Sequence, residues 1–300
     1  MIFWYGILPI AGGFYNRHRW KKFRNRFYDL QLYPLLDYKQ YRSANIESAV
    51  FKFTGGIESI TDGQTLWVKG DDLTIPVSLE KTKCYLLPAP ETPLQGQERN
   101  YPAAPELIRW NNISTLTESA KVFIGGRIKS QDKRLTFHSV KKEPLMVIFY
   151  NHTDKELTDT IIRAARTHNE YWNSLTPVFI AIGALILIYI AASFLGRPAF
   201  RLTVISAFIA VFIPLFPVLP PGFLFTTLYR RISWNARNLR ITSDLFFFGL
   251  SGNPDKTSAK RYSIRAYILE AAAWFILLLG VCINIVFVIL ILFLFQVISF

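Results

Sequence analysis

Three long stretches without a charged residue lie in the second half of this chain and limit what it can fold into. They cover residues 177–195, 202–219 and 271–300. A helix needs roughly 20 apolar residues to cross a lipid bilayer, so each stretch has the length of a membrane span. Three such runs are not typical of one water-soluble domain. The sequence therefore predicts an integral membrane protein in which residues 177–219 form a transmembrane hairpin and residues 267–300 contain the last span.

The N-terminal segment is apolar as well, but it is shorter and Gly6, Pro9, Gly12 and Gly13 interrupt it. Its length lies between that of a span and that of a re-entrant or interfacial segment, which leaves a fourth span open. The basic residues follow the apolar residues, and a cleaved secretory signal has the opposite order. We assign residues 1–42 to this possible span and a basic juxtamembrane region.

Much of the net charge of +13 lies next to the apolar stretches. Lys and Arg residues beside spans mark the cytoplasmic side of a membrane and attract anionic lipid headgroups. No nucleic-acid-binding motif accompanies them, so we expect anionic lipids as partners and no nucleic acid. The residues predicted to contact headgroups are Arg17, Arg19, Lys21, Lys22, Arg24 and Arg26 in the first cluster, and Arg230, Arg231, Arg237 and Arg240 in the second.

The second cluster lies in residues 220–266, between the hairpin and the last apolar stretch. Basic side chains alternate there with Trp234, Leu239 and Ile241. A basic amphipathic segment that is tethered to spans at both ends is expected to lie in the headgroup layer. We therefore predict a basic amphipathic loop, with a partner-binding helix as the alternative.

Residues 43–150 have the composition of a water-soluble β-domain. Branched and aromatic residues are concentrated in short runs between turn-forming residues, and a loop with five prolines covers 88–106. The fold class that we predict is α+β: a small β-barrel or sandwich, which removes exposed sheet edges, plus transmembrane α-helices. The predicted strands are 49–53, 65–69, 73–79, 84–87, 121–126, 135–139 and 145–150.

Two parts of this region have a similar order of residues. In each part, one residue separates an aromatic side chain, Phe53 or Phe123, from a pair of glycines. Short β-meanders resemble one another without common descent, so a duplication is one of two interpretations. Paired glycines inside a strand indicate a bulge or a close backbone contact. The structural glycines that we predict are Gly55, Gly56, Gly125 and Gly126.

An amphipathic helix is predicted between the β-domain and the first span, over residues 151–176. Thr153 and Glu156 have the spacing of a capping box. Leu157 and Ile161 lie on one face of such a helix. Tyr171 and Trp172 follow and are typical of the headgroup level.

Residues 43–195 resemble the beside-a-membrane domain, which is also called the GIDE domain. The resemblance is carried by "STLTESAKVFIGGRI", by "KRLTFHSVKKEPLMVIFYNHTDKELTDTIIRAARTHNEYWN", by the "KCY" of residues 83–85 and by Trp110. It implies a β-module held beside a membrane for interaction or sensing. One member is a ubiquitin ligase whose activity lies in a RING, but two cysteines and four histidines cannot supply the zinc ligands that a RING needs.

No catalytic, cofactor-binding or metal-binding motif is present in the sequence. We therefore expect no enzymatic activity, no cofactor and no metal. The predicted function is that of an integral membrane scaffold or adaptor whose β-domain contacts another membrane or envelope protein. The alternative is an accessory subunit of a transport or membrane-enzyme complex. The positive-inside bias predicts the inner or plasma membrane with the β-domain in the cytosol, although the ligase in the resembling family holds its domain away from the cytosol.

Overall fold

The computed structural model describes residues 3–42, 49–61, 64–87, 104–116, 120–131, 134–141, 143–151, 153–166, 171–216, 222–249 and 255–294. The chain forms two compact units. One is His18–Thr167, called the sheet unit below, and the other is Met1–Arg17 together with His168–Phe300, called the helical unit. Most of the Pro-rich loop predicted at 88–106 lies outside the described residues.

In its described residues the sheet unit contains eight strands, and all seven predicted strands are confirmed. The eighth, Glu106–Ile108, is too short to produce a period-two pattern in the sequence. The strands are β1 (Val50–Thr61), β2 (Thr65–Lys69), β3 (Thr74–Ser78), β4 (Lys83–Leu86), β5 (Glu106–Ile108), β6 (Lys121–Gln131), β7 (Arg134–His138) and β8 (Met146–Tyr150).

The strands form one sheet in the order β1-β2-β3-β7-β6-β8-β4-β5, and β1 also pairs with β6. The predicted barrel is wrong in that the sheet is not closed. Strands β3 and β7 pair at a single position, Val77 with Phe137. Beyond β8 the sheet continues through β4 to β5, which is its last strand. Strand β5 therefore leaves an exposed sheet edge, which a closed barrel would not have.

The two glycine pairs lie in the antiparallel pair of β1 and β6, where Gly55 and Gly56 face Val122 and Lys121, and Gly125 and Gly126 face Lys52 and Phe51. The only bulge between β1 and β2 in the described register lies between Ile57 and Ser59, after the first pair. A Cβ at Gly125 would lie 2.6 Å from Leu30 Cδ1, and one at Gly126 would lie 2.5 Å from Leu145 Cδ1. A Cβ at Gly55 would collide with the Lys69 carbonyl, but one at Gly56 would meet no atom within 4 Å. Three of the four glycines therefore occupy close contacts.

The third strands of the two similar parts differ in their pairing. Strand β3 pairs with β2, its neighbour in the chain, whereas β8 pairs with β6 and not with β7. The similarity of the two parts therefore extends over their first two strands only.

The sheet has an apolar core on one face and helices on the other. Val122, Ile124, Val147 and Phe149 belong to one buried cluster, and alternate residues point the opposite way. All five residues of β8 are nonetheless buried. The second face is covered by helix α1 (Leu8–Gln31), whose Phe27 ring lies 5.0 Å from that of Phe123.

Two further helices belong to the sheet unit: α2 (Tyr38–Arg42) and α3 (Asp154–Arg163). The predicted capping box is confirmed, because the Thr153 backbone N–H donates to Glu156 Oε2 at 3.3 Å. The predicted extent to residue 176 is wrong for this helix. It ends at Arg163 because Ala165 adopts a left-handed backbone conformation with φ of +60°.

The helical unit contains α4 (Thr176–Phe194), α5 (Arg201–Phe212), α6 (Gly222–Phe247) and α7 (Lys256–Leu294). Among the described residues, three helical segments are long and apolar enough to cross a membrane: Thr176–Phe194, Pro198–Leu215 and Lys256–Ile291. Each of these segments overlaps one of the three predicted spans. The N-terminal segment is helical from Phe3, but it is not among the three.

The predicted basic loop at 220–266 is wrong, because most of it is helix. Helix α6 runs for 26 residues and packs against α7 in the opposite direction. Ser243 Oγ donates to the Ala259 carbonyl at 2.8 Å, and the Phe246 and Tyr262 rings stack. Nearer the start of α6, Tyr229 is buried beside Ala273 and Leu277. This long-range pairing buries one face of α6 against α7, and no local pattern in the sequence predicts it.

Helix α5 ends and α6 begins beside the apolar middle of α7. Asn284 Nδ2 donates to the Phe216 carbonyl at 2.6 Å, and a Cβ on Gly222 would collide with both groups. This is the interhelical hydrogen bond expected of a lone polar side chain inside a span. Both helix ends are therefore held at one level of α7.

Candidate anion-binding groove

The first basic cluster lies on α1, and helical geometry distributes its side chains over separate environments. Residues three or four apart share a helix face, whereas adjacent residues do not. Two arginines, Arg17 and Arg24, are held by polar groups of the protein itself. Lys21, Lys22 and Arg26 instead line an open groove. Arg19 is exposed, and its guanidinium lies 5.0 Å from the centre of the Trp20 ring.

Arg24 is buried in the sheet unit, at 4% exposure. Its guanidinium donates to the Ala164 carbonyl at 3.3 Å, at the end of α3. A cation at the C-terminus of a helix is favoured by the partial negative charge there. This side chain therefore closes α3 and does not point into solvent.

Arg17 belongs to a four-residue cluster in the helical unit. Its Nη1 lies 3.1 Å from Glu270 Oε2, and Arg240 donates from Nε and Nη2 to the two oxygens of the same carboxylate. Both guanidinium groups lie over the Tyr267 ring, 4.9 Å from its centre for Arg17 and 4.4 Å for Arg240. One carboxylate thus joins the N-terminal segment, α6 and α7.

The other arginines of the second cluster also lie on α6. Arg230 and Arg231 are exposed on α6. The guanidinium of Arg237 lies 5.3 Å from the centre of the Trp234 ring, one turn earlier on the same helix. The predicted headgroup contacts of these residues remain a prediction.

The groove has a volume of about 680 Å³ and lies within the sheet unit. One wall is the face of α1 that presents residues at helical spacing, from His18 through Lys22 and Arg26 to Asp29. The other wall is formed by segments distant in the chain. The lining residues are His18, Lys21, Lys22, Asn25, Arg26, Asp29, Leu30, Tyr33, Val50, Gly126, Lys141, Glu143 and Pro144.

Positive charge dominates this groove. Four cations line it, namely Lys21, Lys22, Arg26 and Lys141, against the two carboxylates of Asp29 and Glu143. None of the four cations forms a hydrogen bond or ion pair with another described residue. The groove therefore has two positive charges in excess, and none of its four cations is held in a salt bridge within the described part of the chain.

Glu143 is already engaged at the rim of the groove. Arg127 Nε donates to its Oε2 at 2.5 Å, and this hydrogen bond holds the pKa of the Glu143 carboxyl below its usual range. Arg26 is half-buried, and burial lowers the pKa of its guanidinium while Tyr85 and Glu143 act in the opposite direction. Arginine stays charged despite such a shift, so Arg26 carries a partly desolvated positive charge.

Sequence reasoning predicted one role, contact with lipid headgroups, for all six basic residues of the cluster and predicted no groove. It missed Lys141, Glu143 and Gly126 as the opposite wall. Gly126 was singled out as structural, but nothing in its local pattern connects it with α1. Only the tertiary packing brings these segments together.

In the described ranges, no group of three or more His, Cys, Asp or Glu side chains is arranged to hold a metal ion. Cys84 is buried, and its burial raises the pKa of the thiol to about 12. The groove is therefore the feature of the sheet unit that presents charged side chains to a ligand outside the protein.

Comparisons with known proteins add no relationship to this description. No protein-family model, no curated protein and no solved structure matches the chain.

Proposed function

We propose that this protein is an integral membrane scaffold or adaptor, without chemistry of its own, whose sheet unit recognises an anionic partner. The helical unit anchors it through the three apolar helices, in an inner or plasma membrane. The resemblance to the beside-a-membrane domain supports the same role, since that family places a β-module beside a membrane for interaction or sensing. Anionic lipids and a second membrane or envelope protein are the proposed partners.

The single observation that carries this proposal is the groove on the sheet unit. Three of its four cations lie on a packed helix, and none of the four forms a salt bridge with a described residue. Cations held in place but unpaired are available to a partner of opposite charge, which gives specificity and a fast rate of association. Phe27 and Leu30 are buried on α1, which keeps the helix in position.

The proposed sidedness follows from the positive-inside rule. If α4 crosses the membrane and Pro198–Leu215 with the start of α6 crosses back, the chain returns to the side on which α4 begins. The arginines of α6 and the basic start of α7 then lie on that same side, which the rule makes cytosolic. We therefore propose a cytosolic sheet unit.

The second candidate is an accessory subunit of a transport or membrane-enzyme complex. One observation favours it: α5 ends and α6 begins at the level of Asn284, beside the apolar middle of α7. Discontinuous helices at such a level are common in secondary transporters.

The test is co-purification of the full-length protein in mild detergent. We expect a stoichiometric membrane protein to remain bound through size-exclusion chromatography. The double variant Lys22→Gln/Arg26→Gln should lose this partner, because it removes two cations of the groove. The control, Lys69→Gln/Lys81→Gln, removes the same charge at exposed positions outside the groove and should keep it.

Equal retention by both variants would contradict recognition through the groove. A partner with its own transport or catalytic activity would favour the accessory-subunit alternative.

A further inference from the structure

We infer that the groove between α1 and the Gly126–Pro144 wall binds a phosphomonoester group, carried by a lipid headgroup or by a small soluble molecule. The inference rests on the proposed function, because it names the chemistry of the anion that the sheet unit recognises.

The charge of the groove fits this group. Four cations face two carboxylates, and one of those carboxylates, Glu143, is bound by Arg127 outside the set. The excess of two positive charges equals what a phosphomonoester neutralises, since such a group carries about −1.5 to −2 at neutral pH. A single carboxylate would leave one cation of the excess without a counter-charge.

The hydrogen-bond donors of the groove also suit a phosphomonoester. The planar guanidinium of Arg26 can bind two oxygens of one phosphate at once. Lys21 and Lys22 add compact ammonium groups, while Asn25 and Tyr33 line the same groove with neutral donors. A terminal phosphate has three acceptor oxygens and can engage all three kinds of donor.

The position of Arg26 strengthens the electrostatic attraction. This side chain is half-buried between α1 and the opposite wall, where the effective dielectric constant is lower than in water. The cost of its partial desolvation is met when a doubly charged group enters beside it. The fixed helix face also avoids much of the ordering cost of binding.

The size of the groove agrees with a headgroup or metabolite. Its volume of about 680 Å³ falls within the range of small-molecule sites, roughly 300–1,000 Å³.

Isothermal titration of the full-length protein in detergent tests the inference with three probes. Phenyl phosphate is the soluble phosphomonoester, dioctanoyl phosphatidic acid is the lipid phosphomonoester, and glutarate is a dicarboxylate of similar charge. We expect saturable binding of at least one phosphate probe and much weaker binding of glutarate. Binding of phenyl phosphate alone assigns a soluble ligand, and tighter binding of phosphatidic acid assigns a lipid headgroup.

The variants decide where the probe binds. Lys22→Gln/Arg26→Gln should weaken binding by roughly tenfold or more, because it removes two charge-assisted contacts. Lys69→Gln/Lys81→Gln should leave affinity unchanged. Glutarate binding as tight as phosphate, equal losses in both double variants, or no binding of either phosphate probe would overturn the inference.

This outcome is separable from that of the proposed function. If a partner is retained in a groove-dependent manner while no phosphate probe binds, the scaffold role stands and the phosphate assignment is wrong. If phosphate binds but no partner is retained, the site stands and the adaptor role is wrong.

Discussion

Individual residues on α1 show how one basic run serves several purposes. Arg24 closes α3, Arg17 joins a cluster around Glu270, and Lys22 with Arg26 faces the groove. A run of six basic residues looks uniform in a sequence, but a helix turns adjacent side chains about 100° apart. The contribution of each cation therefore depends on what packs beside its own face of the helix.

Two of the predicted structural glycines offer a prediction at this scale. Gly125→Ala should lower the free energy of unfolding by about 1–3 kcal/mol, because its Cβ would lie 2.6 Å from Leu30 Cδ1 and would overpack the contact with α1. Gly56→Ala is the control, since its Cβ would meet nothing within 4 Å and alanine suits a strand better than glycine. Thermal unfolding of the two variants in detergent is the measurement. Equal melting temperatures would show that the close contact does not matter.

Whole elements are joined in the helical unit by a few polar side chains. Tyr171 Oη donates to the Tyr5 carbonyl at 2.5 Å, and Asn173 Nδ2 donates to the Pro9 carbonyl at 3.0 Å. These contacts tie the N-terminal segment to the start of α4. In an apolar environment a polar group without a partner is costly, so such contacts select one arrangement of helices among many.

The glutamate shared by two arginines gives a prediction at the scale of elements. Glu270→Gln should lower the free energy of unfolding by about 2 kcal/mol, because it leaves Arg17 and Arg240 close together without a counter-charge. The control is Glu80→Gln, which breaks an exposed pair with Lys81 and should cost well under about 1 kcal/mol. Urea unfolding followed by tryptophan fluorescence would measure both. A similar small effect of the two substitutions would refute a structural role for the cluster.

The hydrogen bond from Asn284 of α7 to the Phe216 carbonyl gives a second prediction at the scale of elements. Asn284→Leu keeps the volume of the side chain but removes the donor to the Phe216 carbonyl, and we expect a loss of about 1 kcal/mol. Cys282→Leu, on an exposed position of the same helix, is the matched control and should be neutral. Thermal stability in detergent distinguishes them, and an unchanged Asn284→Leu variant would argue against the bond.

The arrangement of the whole molecule in a membrane makes the last prediction. Under the proposed sidedness, Ser59→Cys in the sheet unit should resist a membrane-impermeant thiol reagent in intact cells and react once the membrane is opened. Ala199→Cys, in the turn before α5, should react in intact cells. Both residues are exposed.

Of the two native cysteines, only one has to be replaced for this labelling experiment. Cys282 is exposed on α7 and is replaced by serine, whereas Cys84 is buried with its thiol pKa raised to about 12. At pH 8 such a thiol has almost no reactive thiolate, so native Cys84 can stay. Labelling of Ser59→Cys in intact cells, with protection of Ala199→Cys, would invert the proposed topology.

Much of the fold followed from local pattern. Seven strands, the capping box at Thr153 and three apolar helices were predicted because alternation, caps and uncharged length are properties of neighbouring residues. The basic residues on the α1 side of the candidate groove were predicted to contact lipid headgroups, but the groove itself was not predicted. Its other wall includes Gly126 and Lys141, which lie roughly a hundred residues further along the chain, and no period or spacing links the two walls.

The sequence by itself determined which segments are strands, which stretches are apolar enough to span a membrane, and where positive charge accumulates. These properties depend on backbone preferences and on transfer from water, and both act over a few residues. The tertiary structure alone decided that the sheet stays open past β8, that residues 222–247 form a helix against α7, and which cations of α1 are buried, paired or left in the groove. Each of these outcomes depends on contacts between distant segments, whose energies come from packing and from charges brought together by the fold.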